Sequence, residues 1–163
     1  MDLRRKIYTI LTVTAIVVLI DQLVKIWVVS NFPGNIPVKI IDNFFRITLI
    51  FNPNTAFGIS LGEGFPYTII ASGISLVVLI LALMEKRIWN IVAYSMILGG
   101  AIGNILDRVL RGEVVDFIDI GISDNLRWYV FNGADVFITI GILMLLADSL
   151  MGHMKEKKTG STL

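Results

Sequence analysis

The sequence predicts a membrane all-α fold: a four-transmembrane-helix bundle with a small extracytoplasmic β element resting on the membrane surface. Three observations lead there. Hydrophobic residues make up 55% of the chain and charged residues only 17%, with a mean hydropathy of +0.79; an ordinary soluble domain carries about 25% charged residues. The apolar residues are gathered into long runs, as membrane spans require. Basic residues cluster in the short flanks of those runs. At 163 residues the chain reads as one integral membrane domain.

The first helix is expected over about residues 7–29, after the charged start Met1-Asp2-Leu3-Arg4-Arg5-Lys6. A charged start before an apolar run also describes a signal peptide. This run, however, continues through Trp27 to Val29 with no small-x-small cleavage site, so it reads as a retained helix. Further helices are expected over about 65–84, 88–109 and 135–151. At ~1.5 Å per residue the runs suit a ~30 Å hydrocarbon core, the last being short unless it starts earlier or tilts.

Two long connections remain, about 30–64 and 110–134. In the first, the β-branched and aromatic stretch Ile36–Phe51, broken by Asp42-Asn43, predicts a strand-and-turn element. It is too small to stand alone. In the second, Trp128, Tyr129 and Phe131 suit the membrane interface. Arg4, Arg5, Lys6, Lys86, Arg87, Lys155, Lys157 and Lys158 crowd the termini and the short middle turn, whereas Lys39, Arg46, Arg111 and Arg127 are spread over the long connections. This predicts cytoplasmic termini and both long loops outside.

Composition also excludes chemistry. There is no cysteine, and the only histidine is His153 in the polar tail. Disulfides, thiolate metal sites, a cysteine nucleophile, a Ser-His pair within the membrane and multi-histidine metal sites all fall away. Any catalysis must rest on carboxylates, lysine or amides. A formal net charge of +1 gives no reason to expect nucleic acid as a partner.

A charged group inside a membrane helix costs roughly 2.5–3.5 kcal/mol on the insertion scale, so each one needs a reason. Asp21 and Lys25 are one turn apart on the first helix. Asp21 lies ~21 Å up that helix, in its outer half. Asn104, Asp107 and Arg108 share a face near the outer end of the third helix, and Asp135 opens the fourth. Asn52 and Asp116 lie in the loops on the same side. This convergence points to an outward-facing polar site. Plainer roles are open to each residue. Asp21–Lys25 reads as a structural pair, and Asp107 and Arg108 as a brace or a substrate contact. Asn104 and Asn132 can satisfy helix ends, and Asp135 can simply complement a helix dipole. A small transporter would spread polar residues through the whole membrane thickness, and a non-catalytic lipid-binding or assembly protein would tolerate Asp116→Asn and Asp135→Asn.

The polar residues stand in five blocks: Asp21-Gln22 with Lys25; Asn52-Pro53-Asn54-Thr55-Ala56-Phe57-Gly58; Gly103-Asn104 with Asp107-Arg108; Gly112 with Asp116-Phe117; and Phe131-Asn132-Gly133-Ala134-Asp135. In this order, over nearly the whole length, the sequence resembles bacterial lipoprotein signal peptidase (signal peptidase II). One departure is Asn54, where the family usually carries Gly. Asn tolerates a left-handed backbone best among non-glycine residues. The resemblance implies an aspartic intramembrane endopeptidase, without cofactor or metal, in the bacterial cytoplasmic (inner) membrane. It would cut a prolipoprotein just before a diacylglyceryl-modified cysteine. The catalytic pair maps to Asp116 and Asp135. Asp21, Lys25, Asn52, Asn104, Asp107, Arg108, Asn132 and Ala134 map to supporting or substrate-binding positions. The implied partners are the lipid-modified substrate, membrane phospholipid and globomycin-type inhibitors, with a monomer as the expected state.

Overall fold

A computed structural model describes residues 2–53, 55–56, 59–60 and 66–160. Among them, four helices are long and apolar enough to cross a membrane: α1 (Leu3–Asn31), α2 (Tyr67–Met84), α3 (Ile88–Arg111) and the first part of α4 (Gly133–Gly160). Their order and number match the sequence reading. α1 begins four residues earlier than the apolar run because Lys6 is accommodated, its Nζ donating to the carbonyl oxygen of Leu83 at 2.6 Å. α4 begins at Gly133 rather than Asp135 because Asn132 caps it. It runs past Met151 because the tail contains good helix formers and no proline.

The bundle inverts the usual amphipathic pattern. The buried stripe of α1 is Lys6, Ile10, Val17, Asp21, Lys25 and Val28, spaced at helical intervals. The opposite face exposes large apolar side chains such as Leu11, Leu19, Leu23 and Trp27. Lipid, rather than water, is the solvent such a face requires. α3 lies at the centre, packed on α1, α2 and α4. Glycine permits this closeness. A Cβ added to Gly103 would stand 2.6 Å from Asp21 Oδ2, and one added to Gly99 would stand 2.7 Å from the Val17 side chain.

β1 (Val38–Ile41), β2 (Phe45–Asn52) and β5 (Val114–Ile120) form an antiparallel sheet in the order β1-β2-β5. The expected strand-turn element is β1–β2, with Asp42 at the turn in a positive-φ conformation (φ 32°) that Asp tolerates. β5 corrects the reading of 110–134 as loop. Its apolar residues are interrupted by Asp116 and Asp119, and its partner β2 is far away in sequence, so local pattern alone does not reveal it. Val28, Ile47, Leu49, Val115 and Phe117 form the core between the sheet and the end of α1. A second core of Ile10, Ala82, Ile91 and Leu98 holds the other end of the bundle. β3 (Thr55–Ala56) and β4 (Ile59–Ser60) pair as a separate two-stranded ladder. The Asn54 departure and Phe57-Gly58 of the second block lie outside the described residues.

Candidate active site

Both aspartates are placed by backbone devices. α3 ends at Gly112, whose left-handed φ of 80° suits glycine and whose N–H returns to the Arg108 carbonyl. That turn feeds β5, where Asp116 pairs with Ile50 of β2. Beyond Ile120 the chain turns back along β5. The Phe117 and Ile118 N–H groups both donate to the Phe131 carbonyl, at 2.9 and 2.7 Å, and Phe131 N–H returns to Ile118. This places Asn132 beside Asp116 just as α4 begins.

Asn132, fully buried, then joins the two carboxylates. Its Nδ2 donates to Asp116 Oδ1 at 2.7 Å, and its Oδ1 accepts the Asp135 N–H at 3.1 Å. Its own N–H donates to Asp135 Oδ2 at 3.2 Å. The reciprocal bonds make a capping box with Asn at the cap and Asp three residues on. Asp116 also accepts Asn52 Nδ2 at 2.8 Å, and Asp135 accepts Asn104 Nδ2 at 2.9 Å. Each carboxylate is therefore held by two N–H donors. Burial, reinforced by the charge of Asp135 and opposed by the amide of Asn52, pushes the Asp116 carboxyl up to about 6.

Behind this pair lies a closed ionic layer. Lys25, fully buried, reaches Asp21 Oδ2 at 2.8 Å, Asp107 Oδ2 at 2.7 Å and Asn104 Oδ1 at 3.1 Å. Asp21 Oδ1 accepts the Ala134 N–H at 2.8 Å, and Asp107 Oδ2 accepts the Val115 N–H at 3.2 Å. Arg111 Nη1 pairs with Asp107 Oδ1 at 2.6 Å. Gln22 Nε2 bridges to Asp107 Oδ1 at 3.0 Å and to the Gly103 carbonyl at 3.2 Å.

All ten residues singled out from the sequence thus gather at the sheet end of the bundle. Asp21 and Lys25 form a buried ion pair one helical turn apart, and Ala134 contributes its backbone N–H. Arg108 is set differently from the others. Among the described residues its Nη1 makes one long bond, 3.4 Å to the Asn104 carbonyl, and its buried Nε has no hydrogen-bond partner; its guanidinium carbon lies 5.9 Å from the Tyr67 ring centroid. Gln22 stands in the first motif block without a site role, and Arg111 and Tyr67 are not among the candidate residues. Gln22 and Arg111 follow from helical spacing, since Arg111 is one turn from Asp107; Tyr67 carries no such signal.

At the opposite end, Arg87 pairs with Asp148 at 2.5 Å and Asn90 Nδ2 bonds both Asp148 and Glu85. The Arg87 backbone N–H on Glu85 holds that carboxyl below its usual range. These groups close a turn and are separated from the carboxylate pair by the second apolar core. Among the described residues, no group of three or more His, Cys, Asp or Glu side chains is arranged to hold a metal ion.

Four membrane-spanning helices enclosing a carboxylate pair, with amides on both acids, define an integral membrane enzyme. Solved structures agree. One described as a bacterial membrane enzyme determined by the in meso method at 2.3 Å resolution superposes with a TM-score of 0.76 at 32% identity, covering 89% of each chain. A second, at 1.9 Å resolution, gives 0.74 at 32% identity, covering 88% of this chain and 94% of that one. The family model described as Signal peptidase (SPase) II matches residues 13–151. Lipoprotein signal peptidase of Syntrophus aciditrophicus (strain SB) is 35% identical over 166 residues, covering 95% of this chain and 99% of the relative. That of Cellvibrio japonicus (strain Ueda107) is 37% identical over 155 residues, covering 90% of each. The chain belongs to the signal peptidase II family, and it is a membrane-embedded peptidase of aspartic type.

Proposed function

We propose that this chain removes signal peptides from prolipoproteins, cutting the peptide bond before a diacylglyceryl-modified cysteine with Asp116, Asp135 and water. Family membership supports the substrate class. The observation that carries the chemistry is the sharing of Asn132 between the two carboxyl groups.

Two carboxyl groups hydrolyse a peptide bond when one is ionised and the other protonated. Close like charges oppose double ionisation, so the pair retains one proton. Asp135 is the better seat for the negative charge, because it lies in the first turn of α4, where N–H groups and the helix dipole favour an anion. Asp116, with its carboxyl pushed up by burial, is the acid. Asp135 takes a proton from water while Asp116 gives its proton to the carbonyl oxygen, forming a tetrahedral diol. On collapse, Asp116 regains its proton from the diol and Asp135 passes its proton to the departing nitrogen. The products are a carboxyl group and an amine, and the pair returns to its starting state. Asn52 and Asn132 orient Asp116, and Arg108, whose Nε has no hydrogen-bond partner among the described residues, would donate to the substrate. The lipid tails need only apolar walls between helices. The basic flanks support a topology with both termini in the cytoplasm and the site toward the outer face of the inner membrane. Phospholipid and globomycin-type inhibitors would meet the same monomeric protein there.

The test is cleavage of a diacylglyceryl-modified prolipoprotein by wild type, Asp116→Asn and Asp135→Asn, with thermal unfolding in parallel. Both variants should unfold like wild type and lose all detectable cleavage, while wild type keeps its rate in chelator. A folded variant that cleaves at near the wild-type rate removes that aspartate from the mechanism.

A further inference from the structure

We propose that Lys25 is the positioning residue of the carboxylate pair, fixing the backbone immediately before each aspartate through two carboxylate arms. The inference rests on the reading of Asp116 and Asp135 as the catalytic pair.

Lys25 is too far back to serve as a substrate contact, being fully buried beneath the pair. Its ammonium has three protons, and three acceptors surround it: Asp21 Oδ2, Asp107 Oδ2 and Asn104 Oδ1. Each acceptor leads to the pair by one further bond. Asp21 accepts the N–H of Ala134, the residue before Asp135. Asp107 accepts the N–H of Val115, the residue before Asp116. Asn104 donates to Asp135 itself. The two amides belong to separate elements, the start of α4 and the start of β5, and the two arms meet on α1, at the Lys25 ammonium and, through longer neutral bonds of 3.3 and 3.0 Å, at Gln22 Nε2. One cation therefore sets the spacing of two carboxyl groups that it does not touch.

The charge also balances. Lys25 and Arg111 face Asp21 and Asp107, so removing the ammonium alone leaves a buried negative charge without compensation. A loss of activity in Lys25→Met by itself would thus not separate positioning from folding. The double variant Lys25→Met/Asp21→Asn restores charge balance, since Asp107 keeps its pair with Arg111, while no ammonium joins the two arms.

The experiment measures kcat, KM, thermal unfolding and amide hydrogen exchange at Val115 and Ala134, on the full chain in nanodiscs. Lys25→Met should lower kcat about a hundredfold, the effect of displacing a catalytic group by about 1 Å, with KM little changed. Exchange should quicken at both amides. The double variant should regain unfolding temperature but not kcat. Asp21→Asn, which keeps Lys25 and weakens one arm, should quicken exchange at Ala134 and leave Val115 as in wild type. The proposal is overturned if kcat recovers together with unfolding temperature in the double variant, if only one amide responds to Lys25→Met, or if Asp21→Asn moves both amides or neither. Should Asp116→Asn or Asp135→Asn cleave like wild type, the catalytic reading falls, and exchange still decides whether Lys25 holds both amides.

Discussion

Asn52 touches Asp116 from the side away from Asn132, and its amide is the largest influence opposing the rise of the Asp116 carboxyl to about 6. Two consequences follow for pH dependence. The profile of kcat/KM, which reports the free enzyme, should carry an ionisation near pH 6, well above an ordinary aspartate. It belongs to the coupled pair rather than to one residue. Removing the amide in Asn52→Ala favours the protonated form further, so that ionisation should move to higher pH. A wild-type profile flat between roughly pH 4.5 and 7.5, or a downward move in Asn52→Ala, would count against Asp116 as the proton-holding partner. At this scale the residues that the sequence brings forward are ones the fold gathers at one end of the bundle, whereas their connectivity was hidden. Asp116 and Asp135 stood out by motif. That Asn132 bonds both of them depends on where β5 brings Phe131, which no local spacing encodes.

Among the elements, α3 has the least freedom, because it touches every other helix and its glycines face neighbours directly. A methyl group at Gly103 would meet Asp21 Oδ2 at 2.6 Å and the Ala134 side chain at 3.5 Å, pressing on one arm of the ionic layer. Gly103→Ala should therefore destabilise the protein by about 1–3 kcal/mol, the usual range for overpacking, and lower kcat. Gly73 of α2 has nothing within 4 Å of an added Cβ, so Gly73→Ala should be neutral or stabilising by up to about 1 kcal/mol. Equal unfolding temperatures for the two variants would sink this account of α3 packing. The helices themselves were legible because long apolar runs have one interpretation in lipid. β5 was not: Val114–Ile120 is short, carries two aspartates and is held by partners distant in sequence, β2 and the end of α1 among them. The start of α4 was misplaced by two residues because capping by Asn132 is a three-dimensional event.

For the whole molecule, the two ends of the bundle differ in kind. The sheet end is knit by buried ionic and amide bonds drawn from α1, α3, α4 and β5. The other end is closed by an apolar core and a few bonds around the Glu85–Arg87 turn, one of which pairs a largely exposed Arg87 with Asp148. Exposed ion pairs contribute about 0–1 kcal/mol. Arg87→Ala should accordingly leave cleavage unchanged and lower stability by no more than about 1 kcal/mol, as read from the unfolding midpoint. A large loss of activity in that variant would mean that the two ends are coupled. This asymmetry was partly visible in the sequence, since most polar residues fell toward one side. The bonding of Asn90 and Asp148 was not, because a lone Asn in an apolar run gives no sign of its partner.

The short turn at Glu85–Arg87 also divides the chain's contributions cleanly. Everything before it supplies Asp21, Lys25 and Asn52; everything after it supplies both aspartates, Asn104, Asp107 and Asn132. The chain is thus a natural pair of two-span halves, neither with a complete site, joined where no bond to the carboxylates crosses. Membrane helices that insert independently can associate afterwards without a covalent link. Fragments 1–86 and 87–163, produced together, would reconstitute cleavage, and the second alone would be inert despite holding both acids.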